Sequence, residues 1–309
     1  MRVEILGSAA GGGFPQWNCN CRNCRSLRAG TLRAKSRTQT QVAVSDDSRT
    51  WFLLNASPDL RLQIERAPVL QPRDGIRDSP ISGVLLTSAD IDQIAGLLSL
   101  RELQPFRIYC TQSLQRILRE DNTAFAMLNR VPRQVCWTNV KSGECFPLLD
   151  AEGEESGIAC EVFSLADRYP MYVSPERVMQ LNGNEALLGV MLTGSSGTRL
   201  AYLPAVPAIS DQLVQRLETA DVLLFDGTFW SDDELIQVQG SGATAREMGH
   251  VPVSGPDGSL HLLSGVRRPR KIFVHVNNTN PMLDESGPEY RELREAGWEL
   301  AEDGWQLNL

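Results

Sequence analysis

Several features that would define whole classes of protein are missing from this chain of 309 residues. No run of 18 apolar residues occurs, so the sequence predicts no membrane-spanning helix. Positive charge is not in excess, because 38 acidic residues outnumber 30 basic ones and give a formal net charge of −8. That balance argues against a nucleic-acid or membrane-surface binder. The start, residues 1–6, lacks the basic and apolar segments of a signal peptide, so we expect a cytoplasmic protein.

Histidine is also scarce, with only His250, His261 and His275 in the chain. His275 ends an apolar strand beside a polar loop, which favours a metal ligand over the alternative of a hydrogen-bonded core histidine. His250 lies in a glycine-rich segment and is a candidate ligand or acid/base, whereas His261 reads as an ordinary helix residue. Two histidines with one aspartate, Asp90 or Asp92, would supply the facial triad of a mononuclear Fe²⁺ site.

Three of the seven cysteines fall within six residues, at Cys19, Cys21 and Cys24. The spacing Cys-x-Cys-x-x-Cys lets one short knuckle place three thiolates around a tetrahedral ion, so it predicts a structural Zn²⁺ site. Unrelated free thiols and a redox Cys-x-x-Cys unit are the alternatives. The fourth ligand is not in this cluster. The other four cysteines are scattered singly, and we expect them to be packed, inert thiols.

Strand-like and helix-like runs alternate along the chain, with hairpin-like clusters of strands in its first part. This order predicts an α/β protein in which two mixed sheets pack face to face with helices outside, a four-layer αββα sandwich. We expect a single domain over residues 1–309. The predicted strands are 3–6, 40–44, 51–54, 83–86, 107–110, 159–163, 187–192, 200–203, 222–225 and 271–276. The predicted helices are 94–103, 113–120, 122–128, 210–219 and 289–296.

Four polar residues, Ser88, Asp90, Asp92 and Gln93, lie in a turn between an apolar strand and an apolar helix. Carboxylates at a helix start can simply cap its free N–H groups. Their position directly after a buried strand favours metal binding instead, and oxygen donors favour Mg²⁺, Mn²⁺ or Fe²⁺ over a pair of zinc ions.

A second candidate lies at 222–230, where a buried strand ends in an acid, a glycine and two aromatic residues. Asp226 at the strand end is placed for chemistry, and Phe229 and Trp230 could wall a pocket for an aromatic ligand. A plain turn followed by two core aromatics is the alternative.

Taken together, these motifs resemble the pyrroloquinoline quinone (PQQ) biosynthesis protein B family, PqqB, of the metallo-β-lactamase superfamily. The matching stretches run in order along nearly the whole chain: 7–21, 54–61, 85–97, 226–230, 248–254 and 275–281. The resemblance implies the metallo-β-lactamase fold, closest to the branch that holds a carbon–phosphorus-pathway phosphodiesterase and the tRNA 3′-processing nuclease. In a relative of that branch, a histidine completes the three-cysteine zinc site, and Asn278 stands at the matching position here.

The chain departs from the superfamily pattern at its metal site. The turn positions that normally read His, His, Asp, His are here Ser88, Asp90, Asp92 and Gln93. Ala205 stands where relatives carry a metal-bridging aspartate. A dinuclear zinc site of this superfamily needs about five histidines, which this chain cannot supply, so the classical site is excluded and we do not expect hydrolysis by a bimetallic hydroxide.

The resemblance implies a step in PQQ biosynthesis, namely iron- and oxygen-dependent hydroxylation of the tyrosine ring of a cross-linked Glu–Tyr precursor. In this interpretation Asp90, Asp92 and His275 hold the active-site metal, Fe²⁺ or another divalent ion, with Gln93 or Asp226 as further candidates. His250 and Asp226 are the catalytic candidates, whereas Ser88, Phe229 and Trp230 contact substrate. The alternative is a non-catalytic carrier that binds PQQ or its precursor for release or transport. Expected partners are this small molecule and other proteins of the pathway.

Overall fold

A computed structural model describes all residues, 1–309, and its contacts divide the chain into two compact units. Unit 1 consists of Met1–Leu6, Gln41–Thr198 and Gly304–Leu309. Unit 2 consists of Gly7–Thr40 and Arg199–Asp303. The expectation of a single domain stays a prediction.

The strands are short, apolar and mostly buried, as the sequence predicts. Their bounds are β1 (Arg2–Gly7), β2 (Gln41–Ser45), β3 (Trp51–Leu54), β4 (Ile81–Leu85), β5 (Phe106–Cys110), β6 (Val135–Asn139), β7 (Cys145–Leu149), β8 (Glu155–Ala166), β9 (Leu187–Thr193), β10 (Arg199–Leu203), β11 (Val222–Asp226), β12 (Arg270–Val274), β13 (Trp298–Leu300) and β14 (Trp305–Asn308).

The helices are short, and several end in tighter or wider turns. The α-helices are α1 (Arg22–Arg28), α2 (Leu60–Arg66), α3 (Ile91–Ile94), α4 (Gln112–Arg116), α5 (Pro175–Val178), α6 (Asp211–Leu217), α7 (Glu234–Gln239), α8 (Ser259–Leu262) and α9 (Pro288–Glu295). The 3₁₀ segments are Pro68–Leu70, Ala95–Leu100, Thr123–Asn129, Gly183–Glu185 and Pro281–Leu283, and Ile117–Asp121 is a π-helical turn.

In unit 1, the strand order of the main sheet is β14-β1-β2-β3-β4-β5-β6. The strands β2 and β3 form an antiparallel pair, and β3 to β6 run parallel. A second group, β7-β8-β9, is antiparallel. Parallel strands bury both faces, which is why β3 reads as a continuous apolar run. The carboxyl end of β4 delivers the chain into the polar turn at 88–93.

In unit 2, the strands β10, β11, β12 and β13 form a parallel sheet in that order. The ring of Phe273 stacks on Trp298 at 4.1 Å, and Phe225 meets the same indole edge-on at 6.0 Å. Such aromatic pairs add about 0.5–1.5 kcal/mol each beyond their buried area. They fix β11 and β12, whose carboxyl ends carry Asp226 and His275.

All ten strands expected from the sequence are present, but three of the expected helices differ. Residues 94–103 and 122–128 are largely 3₁₀, and 113–120 turns from α into π. The 3₁₀ geometry of Ala95–Leu100 has a physical cause at Gly96. The backbone amide of Gly96 donates to the carbonyl of Ala56 and so does not continue the hydrogen bonds of an α-helix. A Cβ at Gly96 would lie 2.1 Å from the carbonyl oxygen of Ser57, so only glycine permits this close approach.

The expectation that the four scattered cysteines are packed is wrong for two of them. Cys110 and Cys160 are buried, and burial raises the pKa of both thiols. Cys136 and Cys145 are exposed, because they lie on β6 and β7, strands with few buried positions. No helix in the structure combines the length and apolar character that a membrane span requires.

Candidate metal centre

The carboxyl ends of β11 and β12 bring Asp226 and His275 to one edge of the unit 2 sheet. Asp226 is the last residue of β11, and His275 directly follows β12. His250 joins them from the segment between α7 and α8. One donor atom of each of these three residues lies within 4.8 Å of the others, a spacing that suits a metal ion. Carboxyl ends of parallel strands are the usual place for a ligand site in α/β sheets.

Asp226 is fully buried, and four hydrogen bonds occupy its carboxylate. Oδ2 accepts from His250 Nδ1 at 2.7 Å and from the amide of Val206 at 2.8 Å. Oδ1 accepts from the hydroxyl of Thr228 at 2.6 Å and from its amide at 3.0 Å. Burial alone raises the pKa of Asp226, but the neighbouring charges of His250 and His275 and these hydrogen bonds lower it below the ordinary value. Asp226 is therefore an ionised residue that orients His250.

Thr228 Oγ1 holds the second imidazole. It lies 2.6 Å from Asp226 Oδ1, 2.8 Å from His275 Nδ1, 2.9 Å from the carbonyl of His275 and 3.1 Å from His250 Nδ1. A hydroxyl has one proton to donate, and the short contact to the carboxylate takes it. His275 Nδ1–H then donates to Thr228, and His250 Nδ1–H donates to Asp226. In the neutral rings, Nε2 of both histidines consequently carries the lone pair that a metal or a proton requires.

His275 adopts a left-handed backbone conformation, with φ of 58°. This region costs a residue other than glycine or asparagine about 1–2 kcal/mol, so such residues mark places where the surroundings impose the geometry. The rings of His250 and His275 are nearly parallel, with centroids 5.5 Å apart and planes at 23°. Phe229 meets His250 edge-on at 5.9 Å and is buried, so it packs behind this imidazole. Trp230, which is partly exposed, donates its amide to Glu234 Oε2 at 2.6 Å.

The polar turn of unit 1 is stabilised by its own hydrogen bonds. Asp90 occupies the N-cap position of α3, yet its carboxylate makes no capping bond and instead accepts from Ser88 Oγ at 2.7 Å. Capping by Asp90, the alternative expected from the sequence, is therefore wrong. Asp90 and Asp92 are both partly exposed. Tyr172 donates its hydroxyl to the carbonyl of Ala89 at 2.5 Å and so closes over the turn.

Gln93 is buried beneath this turn, with its carbonyl oxygen engaged by two donors. Oε1 accepts from Thr87 Oγ1 at 2.7 Å and from Asn55 Nδ2 at 2.8 Å, and it lies 3.3 Å from Ser88 Oγ, whose one proton goes to Asp90. An amide binds a metal through this oxygen, so ligation by Gln93 would require these donors to leave. Gln93 thus holds the turn to Asn55 after β3.

The cysteine knuckle lies wholly within unit 2, at the start of α1. The sulfur atoms of Cys19, Cys21 and Cys24 lie within 4.8 Å of one another. Asn278 Nδ2 approaches all three, at 3.1, 3.6 and 3.3 Å. Partial burial raises the pKa of Cys19, but hydrogen bonds from the backbone amide of Cys21 and from the side chains of Cys21, Cys24 and Asn278 lower it below the ordinary value. Burial raises the pKa of Cys21 to about 11, an effect that a bound cation would reverse.

Comparison with known proteins places the chain in a family. The β-lactamase superfamily domain model matches residues 50–276. Coenzyme PQQ synthesis protein B from Pseudomonas entomophila (strain L48) is 42% identical over 311 residues, with all of both chains covered. The chain belongs to the PqqB family. Another PqqB relative, from Azotobacter vinelandii, is 43% identical over 310 residues, again with full coverage.

Solved structures agree with the PqqB assignment. Zn²⁺-bound PqqB from Methylobacterium extorquens has 40% identity and a TM-score of 0.91, with 100% of both chains covered. A diphosphatase of the PhnP family, with 19% identity, a TM-score of 0.68 and coverage of 100% and 97%, shares the fold alone. The metallo-β-lactamase-like α/β fold and the PqqB resemblance expected from the sequence are both confirmed.

Several residues that build the PqqB site have no signal of their own in the sequence. Thr228 and Asn280 lie inside the motifs quoted above, yet neither residue type by itself points to a metal centre. Asn23 and Glu234 lie outside the candidate residues and become visible only through their buried contacts. The metal, catalytic and substrate roles assigned to individual residues stay predictions.

Proposed function

We propose that this chain acts in PQQ biosynthesis as a metal-dependent enzyme that hydroxylates the tyrosine ring of a cross-linked Glu–Tyr precursor. Membership of the PqqB family supports the pathway. The observation that supports a catalytic centre is the histidine pair, His250 and His275, whose Nδ1 atoms are fixed by Asp226 and Thr228. Imidazoles whose Nδ1 is fixed and whose Nε2 carries the lone pair are an arrangement typical of metal sites.

The donor set fits a non-haem Fe²⁺ ion. Imidazole nitrogen is a ligand that Fe²⁺ accepts, and the two rings lie at a largely buried strand edge. His275 would hold the metal through Nε2, whereas His250, with Asp226 as the carboxylate behind it, would keep its own Nε2 for proton transfer. When bound, the iron would supply the one-electron and oxygen chemistry that hydroxylation of an aromatic ring needs. The sequence-based expectation that Asp90, Asp92 and His275 are ligands of one metal stays a prediction.

The remaining residues of the site would orient the substrate and move its protons. His250, oriented by the ionised Asp226, is placed to accept the phenolic proton of a tyrosine ring at Nε2. Phe229 packs edge-on against His250 and limits its rotation. Trp230, which is partly exposed, is the proposed substrate contact in unit 2, and the substrate role expected for Ser88 stays a prediction.

We also propose that Cys19, Cys21 and Cys24 bind a structural Zn²⁺ ion. Three clustered sulfurs suit this ion, and Asn278 occupies the fourth position. Because amide oxygen and nitrogen exchange places when the side chain turns over, Oδ1 of Asn278 can face the cation.

The test begins with protein that is purified without added zinc and loaded anaerobically with Fe²⁺. The synthetic Glu–Tyr precursor and an external reductant are added, followed by ¹⁸O₂. We expect a product heavier by one or more ¹⁸O atoms in the ring, and no product without iron. His250→Gln and His275→Asn should abolish it, whereas His261→Gln, at an exposed position of α8, should not.

Two outcomes would contradict the enzyme proposal. Confirmed Fe²⁺ loading without any ¹⁸O in the precursor would exclude hydroxylation, and tight binding of unchanged PQQ or precursor would then favour a carrier. For the carboxylates, Asp90→Asn is compared with Asp74→Asn, an exposed acid of the same unit. Equal activity of the two variants would exclude Asp90 as a ligand.

A further inference from the structure

A loop at 275–280 connects the histidine pair to the cysteine knuckle within unit 2. It begins at His275, whose Nδ1 is held by Thr228. Three residues later, the amide of Asn278 lies against the sulfurs of Cys19, Cys21 and Cys24. A backbone shift at one end of this loop is therefore either accommodated by the few residues in between or moves the other end.

Two buried asparagines hold the backbone of this loop by hydrogen bonds, so the residues in between cannot easily accommodate a backbone shift. Asn23, on α1 beside Cys24, donates Nδ2 to the carbonyls of Asn278 at 3.2 Å and Asn280 at 2.9 Å. Asn280, which is fully buried, donates Nδ2 to the carbonyls of Gly227 at 3.1 Å and Thr228 at 3.3 Å. Its Oδ1 accepts from the amide of Met282 at 3.0 Å.

The backbone carbonyl of Thr228 accepts a second hydrogen bond besides that from Asn280. The amide of Asn277 donates to the carbonyl of Thr228 at 3.0 Å. Thr228 in turn contacts the ring and the carbonyl of His275 through its hydroxyl. An unbroken path of polar contacts thus runs from the sulfurs through Asn278, Asn23 and Asn280 to His275.

A cation in the knuckle must act on this path. Thiolates bind Zn²⁺ at about 2.3 Å, so the three sulfurs converge on the ion. The Asn278 amide N–H groups now point at these sulfurs, and a donor cannot share that position with a cation. The amide must therefore turn its oxygen inward or withdraw. A turnover in place leaves the backbone where it is, but the convergence of the sulfurs on the ion moves Cys24, which is next to Asn23, and withdrawal moves the Asn278 carbonyl that Asn23 holds.

We propose that Asn23 and Asn280 are positioning residues that couple metal occupancy of the cysteine knuckle to the orientation of His275. In functional terms this rests on the proposed role of the histidine pair. The coupling itself concerns only the imidazoles and the knuckle, so it can be measured without turnover.

The chain's three histidines make the experiment direct. Metal-free protein carrying ¹⁵N-labelled histidine is titrated with ¹¹³Cd²⁺, followed by imidazole ¹⁵N and ¹¹³Cd NMR. A thiolate-type ¹¹³Cd resonance reports filling of the knuckle. We expect the His275 ring resonances to shift together with that signal, while those of the exposed His261 stay in place. Unmoved His275 resonances on a filled knuckle would overturn the coupling.

Variants distinguish metal binding at the knuckle from the response of His275 to that binding. In Asn280→Ala the thiolate-type ¹¹³Cd signal should remain and the His275 response should be lost. Asn23→Ala should behave in the same way, and it replaces the first variant if Asn280→Ala does not fold. Asn20→Ala, an exposed asparagine inside the knuckle, should keep the full response. A full response in both Asn280→Ala and Asn23→Ala would refute the proposal.

Direct binding of cadmium to the histidines is distinguished by Cys24→Ser, which removes one thiolate. The His275 shift should disappear together with the thiolate-type signal. A His275 shift in Cys24→Ser as large as that of the wild type would come entirely from metal on the imidazoles themselves and would overturn the coupling. The ¹⁸O experiment is independent, so either proposal can fail alone.

Discussion

The turn at 88–93 in unit 1 and the histidine pair in unit 2 both follow buried parallel strands, and both look like ligand sets in the sequence. Their hydrogen bonds differ. In the turn, Ser88 donates to Asp90, Gln93 accepts from Thr87 and Asn55, and the carboxylates are partly exposed. At the histidine pair, a buried carboxylate and a hydroxyl fix one nitrogen of each ring. Assigning each hydrogen-bond proton to its donor therefore distinguishes the two regions. The turn uses its polar groups to stabilise the backbone, whereas the histidine pair holds its rings in an orientation suited to chemistry.

The largest expected effect comes from removing one imidazole. Asparagine tolerates the left-handed backbone of His275, so His275→Asn removes the ring with little added strain. We expect Fe²⁺ or Co²⁺ affinity at the centre to fall by about 100-fold or more. Calorimetric titration measures it, with His261→Gln as the control. Equal affinities in the two variants would place the metal away from the histidine pair.

Glu234 should give unit 2 a pH dependence. It is buried and accepts from Thr279 and Trp230, and burial raises its pKa from 4.5 to about 7. Between these values the folded protein keeps a proton that the unfolded chain releases, so stability falls as pH rises through this window. The free energy of unfolding should fall by about 3 kcal/mol across this pH window.

Urea unfolding of wild type and Glu234→Gln at pH 4.5, 6 and 8 measures this effect. The variant should lack this part of the decline, although it loses one hydrogen bond at every pH. Glu218→Gln, an exposed glutamate of the same unit, should keep the wild-type profile. Parallel profiles for wild type and Glu234→Gln would show that Glu234 does not titrate in the window.

Thr228→Val tests whether the hydroxyl orients the histidine pair. The change leaves Asp226 Oδ1 and His275 Nδ1 each without one partner, which should cost about 1–3 kcal/mol of unfolding free energy. Metal affinity should fall by about 10-fold to 100-fold. Thr228→Ser keeps the hydroxyl and should restore most of both. Wild-type metal affinity in Thr228→Val would remove Thr228 from the site.

The smallest effect is expected in the turn. Ser88→Ala removes the hydrogen bond to Asp90 and should lower stability by about 1 kcal/mol, with a smaller effect on metal affinity than Thr228→Val. Thermal unfolding and the same metal titration measure both quantities. A larger loss of metal affinity in Ser88→Ala would reverse the comparison, because it would make the turn the better-oriented ligand set.

The sequence is most informative about the central strands. Runs such as those of β3, β11 and β12 are apolar because both faces are buried, and that pattern is local. The strands β6 and β7 give weak signals, because the side chains of both are half exposed and Pro147 interrupts β7. The 3₁₀ segment after α3 depends on the approach of Ala56 and Ser57 to Gly96, a contact that no window along the chain contains.

The site divides in the same way. His250, His275 and Asp226 could be named from residue type and from position at strand ends. Their arrangement through Thr228 depends on atoms brought together by folding, and so does the placement of Asn23 against the 275–280 loop. Asn278 was reached only through family resemblance, since asparagine is a weak signal for a metal site.

The left-handed backbone of His275 also bears on how this protein can evolve. Glycine at that position would relieve a conformational cost of about 1–2 kcal/mol, yet it would delete a buried imidazole and its contact with Thr228. Stability alone therefore acts on this residue in two opposite directions. The difference in unfolding free energy between His275→Gly and the wild type would measure which of the two is larger.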